Sequence, residues 1–325
     1  RGGNAASPGT PQGARRHGPF APAPCPPRAV VYADGMADAR GLALRAVKWV
    51  AVAGDRVLPP PRGVVVLIYH RVGGGSGTEV DLSPQAFDEQ MAWLAATGRV
   101  MSLDEAVDLL DPAGAAVDRA PGGDRSEPVE REVVEDPIVV TFDDGTADLA
   151  EVATPILVRH GVPATVYLAT RFVDEGVPFP DDGTPLSWSA VRDMAATGLV
   201  TFGSHTHTHR LLDRVGPAEA AEELDRSRDL IEHHVGAPAR HFAYPKAVPA
   251  SPAVEPLVRE RFRSAALGGN RPNPIGIADV HRLARTAVQV SDGSTFFVRK
   301  AQGGMALEDG IRRAVNRVRY RTAVG

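Results

Sequence analysis

Hydrophobic and polar positions fall into two regimes along this chain. Up to about residue 38, Pro, Gly, Ala and Arg recur without period, which predicts a disordered leader with too little apolar surface to order itself. Leu42, Leu44, Val47, Trp49 and Val50 then predict a short helix from Ala39 to Val57, stopped by Pro59, Pro60 and Pro61. Residues 1–62 therefore read as a leader with one packing or linker helix.

From Val64 onward β-branched runs alternate with amphipathic stretches. Strands are predicted at Val64 to Tyr69, Ile138 to Phe142, Ala164 to Leu168, Leu199 to Phe202 and His241 to Tyr244. Helices are predicted from Pro84 to Thr97, Asp148 to His160, Ser189 to Thr197 and Pro217 to Val235. The first shows why: Ser83 can cap it, Pro84 suits its first position, Gly98 suits its end, and Phe87, Met91 and Leu94 form one stripe. An acidic, Gly/Pro-containing stretch at about 112–136 breaks the alternation and reads as a surface insertion. Repeated βα units with short loops imply an α/β fold with a parallel sheet, open or closed into a barrel, over residues 63–300, followed by a helical tail at 301–325.

Composition narrows the function classes only modestly. Apolar residues make up 43% of 325, enough for one large core, and a net charge of -4 gives no reason to expect nucleic acid as partner. The single cysteine, Cys25, excludes an internal disulfide and a thiolate metal site. No run of about 18 apolar residues is present, so no integral membrane span is expected. Arg15 and Arg16 precede no apolar stretch, so no export signal is visible, and the compartment stays open between cytoplasm and cell envelope. A monomer is expected.

Chemistry gathers where strands end. His70 follows the first strand, Asp143 and Asp144 follow Ile138 to Phe142, Gly203-Ser204-His205 ends the next run, and Tyr244-Pro245 ends the last. In parallel α/β folds, functional groups collect at that edge, so the recurrence predicts one site. The imidazoles of His205 and His209, four apart, could chelate one cation with a carboxylate from elsewhere, leaving positions open for water and substrate; His207 is left outside this set. Of the adjacent carboxylates, one can ligate the metal while the other takes a proton. An Asp-Asp-Gly turn that merely caps the next helix is the plainer reading, and it is compatible with the first.

Thr141-Phe142-Asp143-Asp144-Gly145, Ser204-His205-Thr206-His207-Thr208-His209 and Phe242-Ala243-Tyr244-Pro245 together resemble the polysaccharide deacetylases of the NodB-homology type, carbohydrate esterase family 4. The similarity runs from about Val64 to Val298 and takes in Tyr69-His70-Arg71-Val72 and Leu283-Ala284-Arg285. It implies an incomplete or distorted (β/α) barrel that removes N-acetyl groups from the N-acetylhexosamine units of a polysaccharide, cell-wall glycan or glycolipid precursor. By this resemblance Asp143 is the general base, and Asp144, His205 and His209 hold a divalent cation, usually zinc. The metal-bound water attacks the acetamide, and the cation with the Lys246 backbone N–H stabilises the oxyanion, Tyr244 belonging to the same substrate-binding motif.

The chain departs from the commonest pattern in two places. No late Leu-x-His supplies a general acid, so His70, in an early Tyr-His element like that of biofilm poly-N-acetylglucosamine deacetylases, is the expected acid, with His281 second. Lys246-Ala247 replaces the usual Tyr-Gly after Pro245, which bears on substrate fit. Arg285 is a candidate to hold Asp143 ionised. The alternatives are an O-acetyl esterase of the xylan type, an amidohydrolase on a small cyclic amide, and a non-catalytic carbohydrate-binding relative. Trp188 is as readily a core residue as a sugar platform.

Overall fold

The computed structural model describes residues 39–57, 59–114, 136–180 and 183–310. The leader to residue 38, all but the ends of the expected insertion, and the tail beyond 310 lie outside the described residues. Among the described residues no helix is long and apolar enough to cross a membrane.

Seven parallel strands form one sheet. In chain order these include β1 (Val65–Tyr69), β4 (Ile138–Phe142), β5 (Ala164–Leu168), β6 (Val200–Ser204), β7 (His241–Ala243), β8 (Ser264–Ala266) and β9 (Arg285–Ala287). A two-stranded pair, β2 (Arg71–Val72) and β3 (Asp81–Leu82), stands apart. The sheet order is β8-β7-β6-β5-β4-β1-β9. Its two edges approach one another: Leu267 N donates to Leu283 O at 2.7 Å and Gly269 N to Arg285 O at 2.8 Å. The sheet is thus a nearly closed, incomplete (β/α) barrel, as the alternation and the resemblance imply.

Strand residues divide by parity because successive side chains point to opposite faces. Val65, Leu67, Tyr69, Ile138, Val140, Phe142, Val166, Leu168 and Phe202 belong to the outer core, under α2 (Pro84–Thr97), with Phe87, Met91 and Leu94, and other helices. Val64, Val66, Val139, Tyr167, Ala243 and Ala266 point the other way, into the barrel. That interior is plugged by Leu103, Ala106, Val107 and Leu110 of α3 (Leu103–Leu110). Both faces are covered, so β1, β4 and β5 are apolar runs rather than alternating ones. Gly203 lies where a Cβ would meet His241 O at 2.5 Å and the Tyr167 ring at 2.8 Å, so only glycine fits that interior position.

The remaining helices lie outside the sheet. A π-turn, Leu149–Ala153, runs into α4 (Thr154–His160); α5 (Thr170–Glu175), α6 (Trp188–Ala196), α7 (Pro217–Val235), α8 (Glu255–Arg261) and α9 (Gly293–Ala301) follow. The expected helix from Asp148 is therefore π-wound in its first part. The N-terminal helix, α1 (Ala39–Val57), packs Ala51 and Val52 against Phe296 and Met305. Its Lys48 is buried and bonded to Asp292, which Lys300 of α9 also contacts at 2.8 Å.

Candidate active site

The groups expected to do chemistry meet at the C-terminal mouth of the barrel. His70 follows β1, Asp143 and Asp144 follow β4, the histidine segment follows β6, and Lys246 sits in the 3-10 turn Pro245–Ala247 after β7. Arg285 reaches in from β9.

Asp144, His205 and His209 each present one ligand atom, all within 4.8 Å of one another. Asp144 Oδ1 lies 3.7 Å from His205 Nε2 and 3.5 Å from His209 Nε2. Ligands bound at the usual distances around one zinc-like ion stand about 3 to 4 Å apart, as Asp144 does from each imidazole. His205 Nδ1 pairs with Ala243 O at 2.7 Å. A carbonyl only accepts, so Nδ1 carries a proton and Nε2 is the nitrogen turned to the cluster. Burial, then the neighbouring His205, lowers the His209 pKa to about 4 despite Asp144 and Asp143. That ring is neutral at pH 7.

The backbone is bent to achieve this. Asp144, Thr206 and His209 have φ of 72°, 63° and 61°. Left-handed backbone costs a non-glycine residue about 1–3 kcal/mol and concentrates at functional sites. Beside them Gly145 has φ 98°, and a Cβ there would meet Leu168 Cδ2 at 2.5 Å.

Asp143 has a different environment from its neighbour. It is buried, and Arg285 Nη1 and Nη2 donate to its two carboxylate oxygens at 2.6 and 2.8 Å. Burial alone would raise its pKa, but Arg285, with His205 and His70, overrides it and holds the carboxyl well below the usual carboxylate range. Its Oδ2 lies 3.9 Å from His205 Nε2, facing the cluster. Arg285 is fully buried, with Cζ 5.0 Å from the centre of the Tyr167 ring. It is not a surface arginine.

Other expected residues take different places. His70 is near enough to bear on the Asp143 carboxylate, and its Nδ1 is buried without a hydrogen-bond partner among the described residues. His281 is tied by Nε2 to Phe262 O at 2.7 Å, at the entry of β8 and so at the opposite end of the sheet. The Tyr244 ring is 1% exposed, packed edge-on against Phe242 in an apolar cluster, and burial pushes its pKa up to about 12. Its side chain does not face the site, contrary to the expected substrate role. Lys246 is exposed and, like Ala247, left-handed, with φ 53° and 56°. His207 is bonded through Nδ1 to Thr170 Oγ1 at 2.9 Å and lies outside the Asp144, His205 and His209 cluster. Trp188 stacks on His234 at 4.1 Å and bonds Asp174, away from the cluster.

Asp148 was not singled out by sequence. Its Oδ2 accepts from Val72 N at 2.7 Å, and its Oδ1 lies 3.7 Å from Arg71, fixing the segment after His70 to the start of the π-turn. In sequence it looks like any acidic residue at a helix start.

Comparison with known proteins shows similarity over part of the chain. Residues 130–255 match the model of the polysaccharide deacetylase family. The chain is 23% identical over 185 residues to the putative polysaccharide deacetylase YxkH of Bacillus subtilis (strain 168), an alignment covering 57% of each protein. Among solved structures, the Streptococcus pyogenes deacetylase PplD in complex with acetate superposes with a TM-score of 0.59 at 18% identity, over 74% of this chain and 99% of that one. IcaB from Ammonifex degensii gives 0.58 at 24%, over 75% and 98%. The BpsB deacetylase domain from Bordetella bronchiseptica gives 0.53 at 21%, over 71% and 98%. At these identities the likeness is one of fold.

Proposed function

We propose that the protein is a metal-dependent hydrolase that removes N-acetyl groups from N-acetylhexosamine units of a glycan, with residues 63–300 as its catalytic domain. The observation that carries this reading is a buried carboxylate, Asp143, held ionised by Arg285 beside the Asp144, His205 and His209 cluster. Asp144 Oδ1 and the two Nε2 atoms would hold the cation. A divalent ion such as zinc there supplies Lewis acidity, lowering the pKa of water to about 7 and polarising the amide carbonyl.

The chain's own groups do the rest. Asp143 Oδ2 takes the proton of the attacking water; its second oxygen stays with Arg285, so the carboxylate cannot rotate away. A carboxyl held this low keeps the proton only briefly. His70 is the acid that protonates the departing amine, because an amide nitrogen leaves poorly as an anion. The Lys246 N–H is the candidate backbone donor to the oxyanion.

O-acetyl ester cleavage is the second reading. It is favoured by the position of His281, which leaves His70 as the one histidine of the two near Asp143. An alkoxide needs less help to leave than an amine. Rates on matched acetamide and acetate-ester sugars, with wild type and His70→Gln, test the choice. The N-deacetylase reading expects acetamide turnover that falls about 10²- to 10⁴-fold in the variant. Ester turnover alone, unaffected by the variant, would replace it with the esterase.

A further inference from the structure

Helix α7 faces the barrel with Ala220, Glu223, Leu224, Ser227 and Ile231. A packing helix normally fills such a stripe with apolar residues, and burying a carboxylate there is costly unless its lone pairs are used. Both polar members are used, and on the same loop. Glu223 Oε2 accepts from Thr208 N at 2.7 Å, and its Oε1 accepts from Thr208 Oγ1 at 2.6 Å. Ser227 Oγ, one turn further on, pairs with Ser204 Oγ at 2.8 Å, which in turn accepts from Thr206 N at 3.2 Å.

The clamped loop is the one that carries His205 and His209. From its other side, Arg171 N donates to His207 O at 2.8 Å, and Thr170 N to Thr206 O at 3.3 Å. Thr208 is the residue immediately before His209, whose left-handed backbone, φ 61°, needs an outside restraint to persist. Glu223 supplies that restraint through two charge-assisted hydrogen bonds at the position where a small rotation would swing the His209 ring away from Asp144.

We infer that Glu223 is a positioning residue of the metal site: it touches no ligand atom, but it sets the affinity of the site by holding Thr208, and with it His209, in place. The inference rests on reading Asp144, His205 and His209 as a cation site. The test is direct titration of the purified full chain with Zn²⁺ and Co²⁺ against a chromophoric chelator, together with the visible absorption spectrum of the Co²⁺ form.

Wild type is expected to bind one equivalent and Asp144→Ala none. Glu223→Ala should weaken binding by about 10- to 100-fold, the usual cost of losing a group that orients a ligand, and should alter the Co²⁺ spectrum. Glu223→Gln should stay within about threefold of wild type, because its amide oxygen can accept from Thr208 N while its amino group donates to Thr208 Oγ1. Unchanged affinity and spectrum in a cooperatively unfolding Glu223→Ala, with Asp144→Ala inactive in binding, would overturn the inference alone. Failure of wild type to bind either ion would overturn the metal-site reading and the inference with it. If Glu223→Ala does not fold, Thr208→Ala decides: a loss of about three- to tenfold supports the clamp, and unchanged affinity refutes it.

Discussion

Asp143 and Asp144 are neighbours in sequence, yet their surroundings differ, which is the basis for proposing different tasks for them. Asp144 is half-exposed and turned by a left-handed backbone toward two imidazoles, whereas Asp143 is buried and gripped at both oxygens by Arg285. Asp143→Asn should therefore lower acetate release by about 10²- to 10⁴-fold while leaving zinc affinity close to wild type, a separation that activity and binding assays on the same sample measure. Arg285→Ala leaves a buried carboxylate unpaired and should destabilise the fold by about 3–5 kcal/mol in urea unfolding. A pH effect belongs at this scale too. In the metal-free protein His209 titrates at about 4, against 6.5 for an ordinary histidine. The unfolded chain thus binds more protons between those values, so the stability this group confers is complete above about 6.5 and is lost as pH falls toward 4. The urea midpoint of metal-free wild type should fall more steeply over that window than that of His209→Gln; parallel curves would show that His209 is not held neutral by the fold. Spacing in the sequence marks His205 and His209 as a pair and the resemblance adds Asp144; the structure brings the three side chains together. The Tyr244 ring was not, since facing inward or outward in a strand-end turn depends on where the next strand, β8, lies.

At the scale of elements, helices with marked ends were readable, down to the nine-residue Trp188–Ala196, and some short ones were not. Pro84–Thr97 and Pro217–Val235 have the expected bounds, each with proline at the start and a left-handed glycine at the end. Helix α3, which plugs the barrel, was passed over at eight residues, although Ser102 and Glu105 form a complete capping box. Ser102→Ala should cost about 1 kcal/mol in denaturant unfolding; no change would mean that packing of Leu103, Val107 and Leu110 alone fixes the plug. Strands β8 and β9 are three residues each and too brief for a periodic signal, whereas β7, equally short, was expected at His241 to Tyr244. The π-turn at Leu149–Ala153 is equally invisible to a 3.6-residue pattern. It starts one residue after Asp148, whose carboxylate anchors the segment following His70.

For the molecule as a whole, the barrel gathers groups from five separate strands and buries what fixes them. Arg285, from the last strand, pairs with Asp143 at the end of β4, so the proposed base is assembled only once β9 lies beside β1. The N-terminal helix is tied in by charge as well as by packing. Asp292, fully buried, joins Lys48 of α1 to Lys300 of α9, with Glu308 at 3.9 and 3.5 Å from the two amines. Asp292→Ala leaves two buried lysines short of a partner and should lower stability by about 3–5 kcal/mol. The overall α/β alternation was legible because both faces of the central strands are covered. The Lys48 contact was not, because the pattern of α1 shows an ordinary basic residue in a short helix. The most direct test of the central claim is acetate release from N-acetylglucosamine oligomers by the purified protein, before and after chelation and zinc restoration, with Asp143→Asn alongside. Release that stops with chelator, returns with zinc and is absent from the variant is the predicted result; a zinc-bound wild type that frees no acetate, or release indifferent to chelator and to the variant, would contradict it.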